Sequence, residues 1–569
     1  MEKRLIECVP NFSEGRDRAV IDAITAAITS VDNISLLDVD PGEATNRTVV
    51  TFVGEPDAVV EAAYRGIARA AELIDMRRHH GAHPRMGATD VCPLIPVSGV
   101  TLEECAEMAR ALARRVSDSL GIPVYCYEAA AFTPERKNLA VCRAGEYEAL
   151  PEKMNHPGKG PDFGDRPFDE AAARTGATTI GARDFLIAVN FNLNTTSTRR
   201  ANAIAFDVRE KGRPVREGRK VTGRPLRDEA GNIIMQPGTL KGTKAIGWYI
   251  DEYGIAQVSM NITDMNATPL HVAFDEVCRA AAARGIRVTG TEIVGLVPKR
   301  ALVDAGRYFL HKQQRSTGLP ESEIVRMAIK SMGLDELKPF NPREKVVEYI
   351  LEDATPHPKR LVDLTALALA DLTASEAPAP GGGSISAYMG ALAAALGTMV
   401  ANLSAHKAGW DDRWKEFSDM ADSGRCIQDE LIALVDEDTA AFNSIMAALS
   451  MPKGTDEERA ARDEALEQAT LYATEVPLRT AKAAFSTFDL LTAVAEQGNP
   501  NSVSDAGVGA LAAEAAVAGA VLNVRINAAG LKNRLLADGL TAEARHYAEL
   551  AASRRKIILD IVNKKIDRE

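Results

Sequence analysis

Apolar residues form short runs at positions 4–9, 34–39, 47–53 and 90–97, each the length and texture of a β-strand. Between them, residues 16–30 and 57–75 carry apolar positions at helical spacing, and 101–119 predicts another helix before a strand at 123–127. The core order is β-α-β-β-α-β. A second pass begins near residue 184, with helix 198–211, strands 243–251 and 255–263, helix 270–285 and strand 287–295. It repeats the order without repeating the residues.

Beyond residue 300 the pattern turns helical. Ser322–Met332 and Asn341–Leu351 predict helices, and DATPHPKR (353–360) is a short polar linker containing proline. From 361 onward strand signals vanish, and long Ala/Leu-rich helices are broken at PAPGGGS (378–384), MPKGT (451–455) and EQGNPNS (496–502). The fold class is therefore multidomain. Two α+β subdomains of ferredoxin-like βαββαβ plan precede an all-α helical bundle. Their bounds are 1–180 and 181–352, then a linker at 353–360 and the helical domain at 361–569. Two sheets side by side leave a cleft suited to a ligand. The uncharged stretch Ser384–Leu403 has the length of a membrane helix. It is built of Ala, Gly, Ser and Met rather than large apolar residues, so a buried bundle helix is expected and no membrane span.

Composition narrows the class. The chain has 569 residues, 46% hydrophobic and 26% charged, which is ordinary globular texture. A formal charge of −12 argues against nucleic acid as partner. Seven cysteines without a C-x-x-C pair imply neither a disulfide framework nor a cysteine-rich zinc site. With no apolar leader at the N-terminus, a cytoplasmic location is expected.

Three of the nine histidines, His79, His80 and His83, lie in RRHHGAHPRMGATDVCPLIP, a glycine- and proline-punctuated loop. Metal binding would need helical i, i+4 spacing and a third ligand, neither of which is evident. Acid–base work by one imidazole fits better. Arg85 adds positive charge suited to carboxylates; Asp40 and Arg47, at strand ends, are candidates to enter the same cleft, and Asp40 reads equally as a satisfied turn residue. An insert at about 209–241 concentrates Arg209, Lys211, Arg213, Arg216, Arg219, Lys220, Arg224 and Arg227. It reads either as a solvated loop or as an attractor for an anionic ligand tail.

In the helical part, Gly382 and Gly383 open a helix, where backbone amides can cradle an anion. They lack the P-loop pattern, so no nucleotide is expected. In ELIALVDEDTAAFNSIM, Leu431, Leu434, Val435, Asp438, Ala441, Phe442 and Ile445 fall on one stripe. Asp438 therefore sits on an apolar face, while Asp436 points about 200° away. A carboxylate there is costly unless paired or functional, and its pKa would rise, which suits proton transfer.

ECVPNFSEGR, LLDVDPGEATNRTVVTFVGEP, RHHGAHPRMGATDVCPLIP, RAGEYEALPEK and KAIGWYIDEYGIAQVSMN together resemble the glutamate formiminotransferase family. The resemblance implies transfer of a formimino group from N-formimino-L-glutamate to tetrahydrofolate. It implies that His83 is catalytic and that Gly164, Asp165, Arg166, Pro167, Phe168, Asp169, Arg174, Thr175 and Gly176 lie in the folate-binding segment. APGGGS, LVDEDTAAF, the M-P-K turn, GNPNSVSD and NVRIN resemble the formiminotetrahydrofolate cyclodeaminases. That likeness implies Asp438 as the catalytic carboxylate, with Asn499, Ser504 and Asp505 as further pocket candidates. The order of the two resembles that of the bifunctional members, and implies a ring-like homo-oligomer acting on polyglutamylated folate, without metal. Two alternatives stand beside it: a transferase whose helical domain has a cyclohydrolase-like activity, or a ligand-sensing module on an oligomerising helical scaffold.

Overall fold

The computed structural model describes residues 4–43, 45–81, 84–156, 158–165, 167–219, 223–354 and 360–567; His83, Arg166 and Lys220 lie outside them. The chain folds as two compact units, Met1–Leu302 with Met332–Thr355, and Val303–Ser331 with Pro356–Glu569.

In the front unit, β1 (Leu5–Cys8) and β2 (Asn11–Phe12) form one interrupted strand, broken where Pro10 lacks an N–H to donate. Around it lie α1 (Arg18–Thr29), β3 (Ile34–Gly42), β4 (Arg47–Gly54), α2 (Pro56–Leu73), β5 (Thr89–Ser98), α3 (Leu102–Leu120) and β6 (Val124–Glu128). β4 lies between β3 and the β1/β2 strand, which in turn pairs with β5, all antiparallel. A strand that the pattern did not reveal, β7 (Thr178–Ala182), inserts between β5 and β6, parallel to both. Its five residues are all buried. Only Ile180 among them is a large apolar side chain, so the segment makes no apolar run to read. Cys8, Phe52, Cys92, Leu94 and Ile180 pack one sheet face on Ile28, Ile67 and Leu112 of the helices. Tyr125, Tyr127 and Val91, on the other face, meet a covering segment containing α4 (Leu139–Cys142), α5 (Leu150–Met154) and α6 (Glu170–Thr175).

The second pass gives β8 (Ile187–Leu193), α7 (Thr198–Val208), a small ribbon of β9 (Arg213–Pro214) and β10 (Met235–Gln236), then β11 (Thr243–Ile250), β12 (Ile255–Ile262), α8 (Leu270–Ala282) and β13 (Val288–Val294). The sheet runs β11-β12-β8-β13, every pair antiparallel. Several arginines of the basic insert bond locally. Arg213 pairs with Asp207, while Arg209 and Arg216 donate to the carbonyls of Gly212 (3.1 Å) and Gly223 (2.9 Å).

In the second unit, α9 (Lys299–Lys312) begins at its edge and α10 (Glu321–Met332) ends at its edge. Residues 303–331, which by sequence continue the second pass, pack here instead: Thr317 N–H donates to Ser418 (3.1 Å), and Gly318 sits against Ala421. In the front unit the helix expected over 341–351 is two pieces, α11 (Pro342–Lys345) and α12 (Val347–Ala354), because Val346 turns extended and bridges Val297. After α13 (Ala366–Thr373) come the bundle helices α14 (Gly382–Ala405), α15 (Trp414–Ser450), α16 (Asp456–Gln497), α17 (Val503–Ala528) and α18 (Arg534–Ile566). Of the three predicted breaks, 451–455 falls wholly between helices, while 378–384 runs into the first turn of α14 and 496–502 begins in the last residues of α16; two more, at 406–413 and 529–533, were not predicted. The core is rich in alanine: Ala387, Ala391, Ala481, Ala484, Ala513 and Ala520 let the helices approach closely. α14 and the Pro500–Ala528 helix are long and apolar enough to cross a membrane, and their apolar windows are 61% and 50% buried in the protein itself.

Candidate functional site

The histidine loop is fastened to the sheet on both sides of His83. Before it, Asn46, in left-handed conformation (φ 49°), acts as a clamp. Its carbonyl lies 2.8 Å from His79 Nε2, its side-chain amide donates to His80 O (3.1 Å), and its Oδ1 accepts from Gly15 N (3.0 Å). Arg85 Nε donates to His79 Nδ1 (3.4 Å), so His79 carries its proton on Nε2. Burial pushes the His79 pKa down and keeps the ring neutral. His79 is thus committed to structure, whereas His80 is exposed.

After the loop, Arg85 forks onto Glu148 (2.7 and 2.9 Å) and reaches Glu146 (3.2 Å). Its guanidinium is engaged by protein carboxylates, and they raise its pKa. Asp90, fully buried at the start of β5, is the hub that sequence reading missed. It accepts from Arg47 (2.6 Å), from Arg143 and from Met86 N (3.0 Å). Two guanidiniums thus share one carboxylate, a formal +1 held in a mostly buried place. Arg47 also donates to Asn11 Oδ1 (2.9 Å). The signal in sequence was an acidic residue inside an otherwise apolar strand. Asp40 lies exposed on β3 opposite Val49.

The segment expected to meet folate ends against this loop. Gly164 (φ 78°) turns where a Cβ would meet Ser117 Oγ at 2.7 Å. Asp165 and Pro167 are exposed. Phe168 packs edge-on to Tyr147, Asp169 caps α6 at Ala172 N (2.8 Å), and Arg174 donates to Glu72 O (2.6 Å). Thr175 bonds its own helix through Ala171 O (3.1 Å), and Gly176 (φ 67°) bridges Gly87. Ala88 N donates to Thr175 O (2.8 Å) and Ala177 N to Met86 O (3.0 Å). A Cβ on Gly176 would stand 2.5 Å from Gly87 Cα, so glycine is required there.

In the helical unit the glycine run and the acidic stripe meet. Asp438 Oδ2 accepts from Ser384 Oγ (3.0 Å), which also lies 3.2 Å from Thr439 Oγ1. The carboxylate rests on Gly383, and the Ser384 N–H supports it. Burial raises the Asp438 pKa, partly offset by these hydrogen bonds. Its neighbours are engaged elsewhere. Glu437 pairs with Arg479 (2.6 Å) and Tyr472 (3.0 Å). Asp436, expected only to face away, accepts from Leu361 N (2.6 Å) and ties down the start of the domain. Gly382 faces Asn523 of the NVRIN run, which composition alone did not single out. Asn499, Ser504 and Asp505 lie elsewhere: Asn499 N donates to Ser404 Oγ (2.8 Å), at the far end of α14. From Ser384 to Ser404 the helix rises about 30 Å, so within one chain this turn and Asp438 do not meet. Among the described residues, no three His, Cys, Asp or Glu are arranged to hold a metal ion.

Three family descriptions match the chain: "Formiminotransferase domain, N-terminal subdomain" over 5–183, "Formiminotransferase domain" over 188–352 and "Formiminotransferase-cyclodeaminase" over 365–546. The chain is 44% identical to the formimidoyltransferase-cyclodeaminase of Gallus gallus, over 92% of each. It is 39% identical to the glutamate formimidoyltransferase of Streptococcus pyogenes, over 54% of this chain and 93% of that one. It is 36% identical to the methenyltetrahydrofolate cyclohydrolase of Methylorubrum extorquens, over 35% of this chain and 95% of that one.

Proposed function

Because the chain belongs to the formiminotransferase-cyclodeaminase family, we propose that His83 and Asp438 are the proton carriers of two consecutive folate reactions, one in each unit. The protein is an enzyme that transfers the formimino group of N-formimino-L-glutamate to tetrahydrofolate. It then cyclises 5-formimino-tetrahydrofolate to 5,10-methenyl-tetrahydrofolate and releases ammonia. Tetrahydrofolate enters as substrate and carrier.

In the first step a folate nitrogen attacks the amidine carbon and gives a tetrahedral adduct. One proton leaves the nucleophile and one reaches the departing glutamate amine, and a single imidazole at His83 serves both. The +1 cluster of Arg47, Arg143 and Asp90 favours a substrate carboxylate beside it. Gly164–Gly176 holds the folate. In the second step the neighbouring folate nitrogen attacks the same carbon and gives up its proton, and Asp438 delivers a proton to the amino group, which leaves as ammonia.

One observation carries this reading: of three consecutive acids, Asp438 is the one set against the start of α14, where a hydroxyl and an amide meet it and burial raises its pKa. The strand order β11-β12-β8-β13 supports a ferredoxin-like plan for the second subdomain. The matched spans support subdomain bounds of 1–180, 181–352 and 361–569. Exposed Leu522, Ile526 and Leu535 favour a homo-oligomer, which we place in the cytoplasm. The test is a paired assay of His83→Ala and Asp438→Asn with formimino-glutamate and tetrahydrofolate. His83→Ala should lose transfer yet still deaminate supplied 5-formimino-tetrahydrofolate. Asp438→Asn should transfer and then stall. Loss of both activities in either folded variant rejects the two-site assignment.

The likeness of the helical unit to a cyclohydrolase favours a second reading, in which this domain instead opens methenyl-tetrahydrofolate with water. Stoichiometric ammonia from 5-formimino-tetrahydrofolate decides for the deaminase.

A further inference from the structure

Behind the run of chain that carries Arg143, Glu146 and Glu148 lies a cavity of about 440 Å³. Tyr125 forms part of its lining and is 1% exposed, and its hydroxyl finds no hydrogen-bond partner among the described residues. Burial holds this phenol protonated, so it is a donor at every working pH. Lys153 Nζ lies 5.1 Å from the centre of the Tyr125 ring and donates to Cys142 O. An ammonium has three N–H groups, so further donors remain on it. Val141, Cys142, Ala144 and Ala149 supply an apolar wall, and Lys159 and Arg136 add cations that, with Lys153, outnumber the lining acids Glu135 and Glu152. A buried hydroxyl and an ammonium over an apolar chamber suit one carboxylate with a small apolar body, and the volume is at the small end of ligand pockets.

The far side of the same run holds the histidine loop. Arg143 reaches Asp90, Glu146 and Glu148 grip Arg85, and Tyr147 N donates to Arg85 O (2.9 Å). We propose that this cavity is a second ligand site, for a small monocarboxylate with an apolar or aromatic body, and that its occupancy is coupled to the transferase loop through Arg143, Glu146 and Glu148. Binding stands on the cavity alone; the coupling rests on the transferase reading.

The probe is benzoate, with benzylamine as a body of the same shape and opposite charge, titrated calorimetrically into the full-length protein. Benzoate should bind once per chain and benzylamine should not. Lys153→Met and the cavity-filling Ala144→Phe should each weaken benzoate about tenfold or more, and Tyr125→Phe about three- to tenfold. Ala144 is exposed, so its variant tests the site even if the buried ones fold poorly. Unchanged affinity in Ala144→Phe and Lys153→Met overturns the site, as does displacement of benzoate by tetrahydrofolate. In turnover, saturating benzoate should change the KM for formimino-glutamate at least about twofold in the wild type and not in Ala144→Phe. Binding without that change overturns the coupling and leaves the site. A chain with no transferase activity at all would instead count against the proposed function, while the titration still reads the site.

Discussion

Gly383 and Asp438 share one space: a Cβ on the glycine would stand 2.6 Å from Oδ2 of the aspartate and nearer still to Oδ1. The carboxylate rests on bare backbone at the first turn of α14. Gly383→Ala should therefore displace it. The cyclodeaminase rate should fall by about 10²–10⁴, the usual worth of acid–base assistance, while transfer continues. Accumulation of 5-formimino-tetrahydrofolate measures this, and full ammonia release from the alanine variant would mean that the carboxylate works from another position.

The same aspartate should leave a mark on stability. Its pKa is raised in the folded state, so the folded chain binds this proton more tightly than the unfolded chain. Stability is then lost as pH rises from the unfolded carboxyl range, near about 4, through the folded pKa. Asn does not ionise, so Asp438→Asn should melt higher than wild type at pH 7–8 and lose that advantage near about pH 4. An offset independent of pH would contradict a desolvated carboxyl.

Asp436→Asn is the contrasting change. It weakens a hydrogen bond to Leu361 N rather than a catalytic contact. We expect about 1 kcal/mol lost from the helical unit with the deamination rate retained. A larger rate loss here than in Asp438→Asn would transfer the role to the neighbour.

Arg47 and Arg143 on Asp90 make opposite predictions for their variants. Asp90→Asn leaves two mostly buried cations facing each other and should cost the front unit about 3–5 kcal/mol. Arg143→Met leaves one balanced pair, so the fold should hold, while the KM for formimino-glutamate rises about tenfold or more. A normal KM in Arg143→Met would remove the cluster from substrate binding.

Glu7 is buried in β1, and that burial raises its pKa from 4.5 to about 7. The folded state therefore favours the acid form, and the front unit should lose stability as pH climbs from about 4.5 through 7, by roughly 3 kcal/mol in all. Glu7→Gln should flatten that slope in a denaturant titration at several pH values. A slope unchanged by the substitution would place its cause elsewhere.

The strands of both passes were legible as short apolar runs, even where, as along Thr89–Ile95, burial is continuous. Thr178–Ala182 was not, since Ile180 is the one large apolar side chain among its five residues. Asp438 could be placed from the spacing of Leu431, Leu434 and Val435, a property of one helix. The Asn46 clamp, the two arginines on Asp90 and the hold of Asp436 on Leu361 join residues 31 to 75 positions apart, and no local pattern encodes such partners. The insert's charge stood out in sequence, yet Arg213 and Arg216 bond to neighbouring groups, which composition cannot foresee.

The two backbone bonds joining Thr175 and Ala177 to Ala88 and Met86 make the end of the folate segment and the root of the histidine loop one mechanical piece. On the proposed reading, a pterin that stiffens one half has already spared the other part of its ordering entropy. The two substrates should then bind synergistically, each dissociation constant falling by the same factor when the other site is filled, a coupling carried by a pair of amides rather than by any side chain.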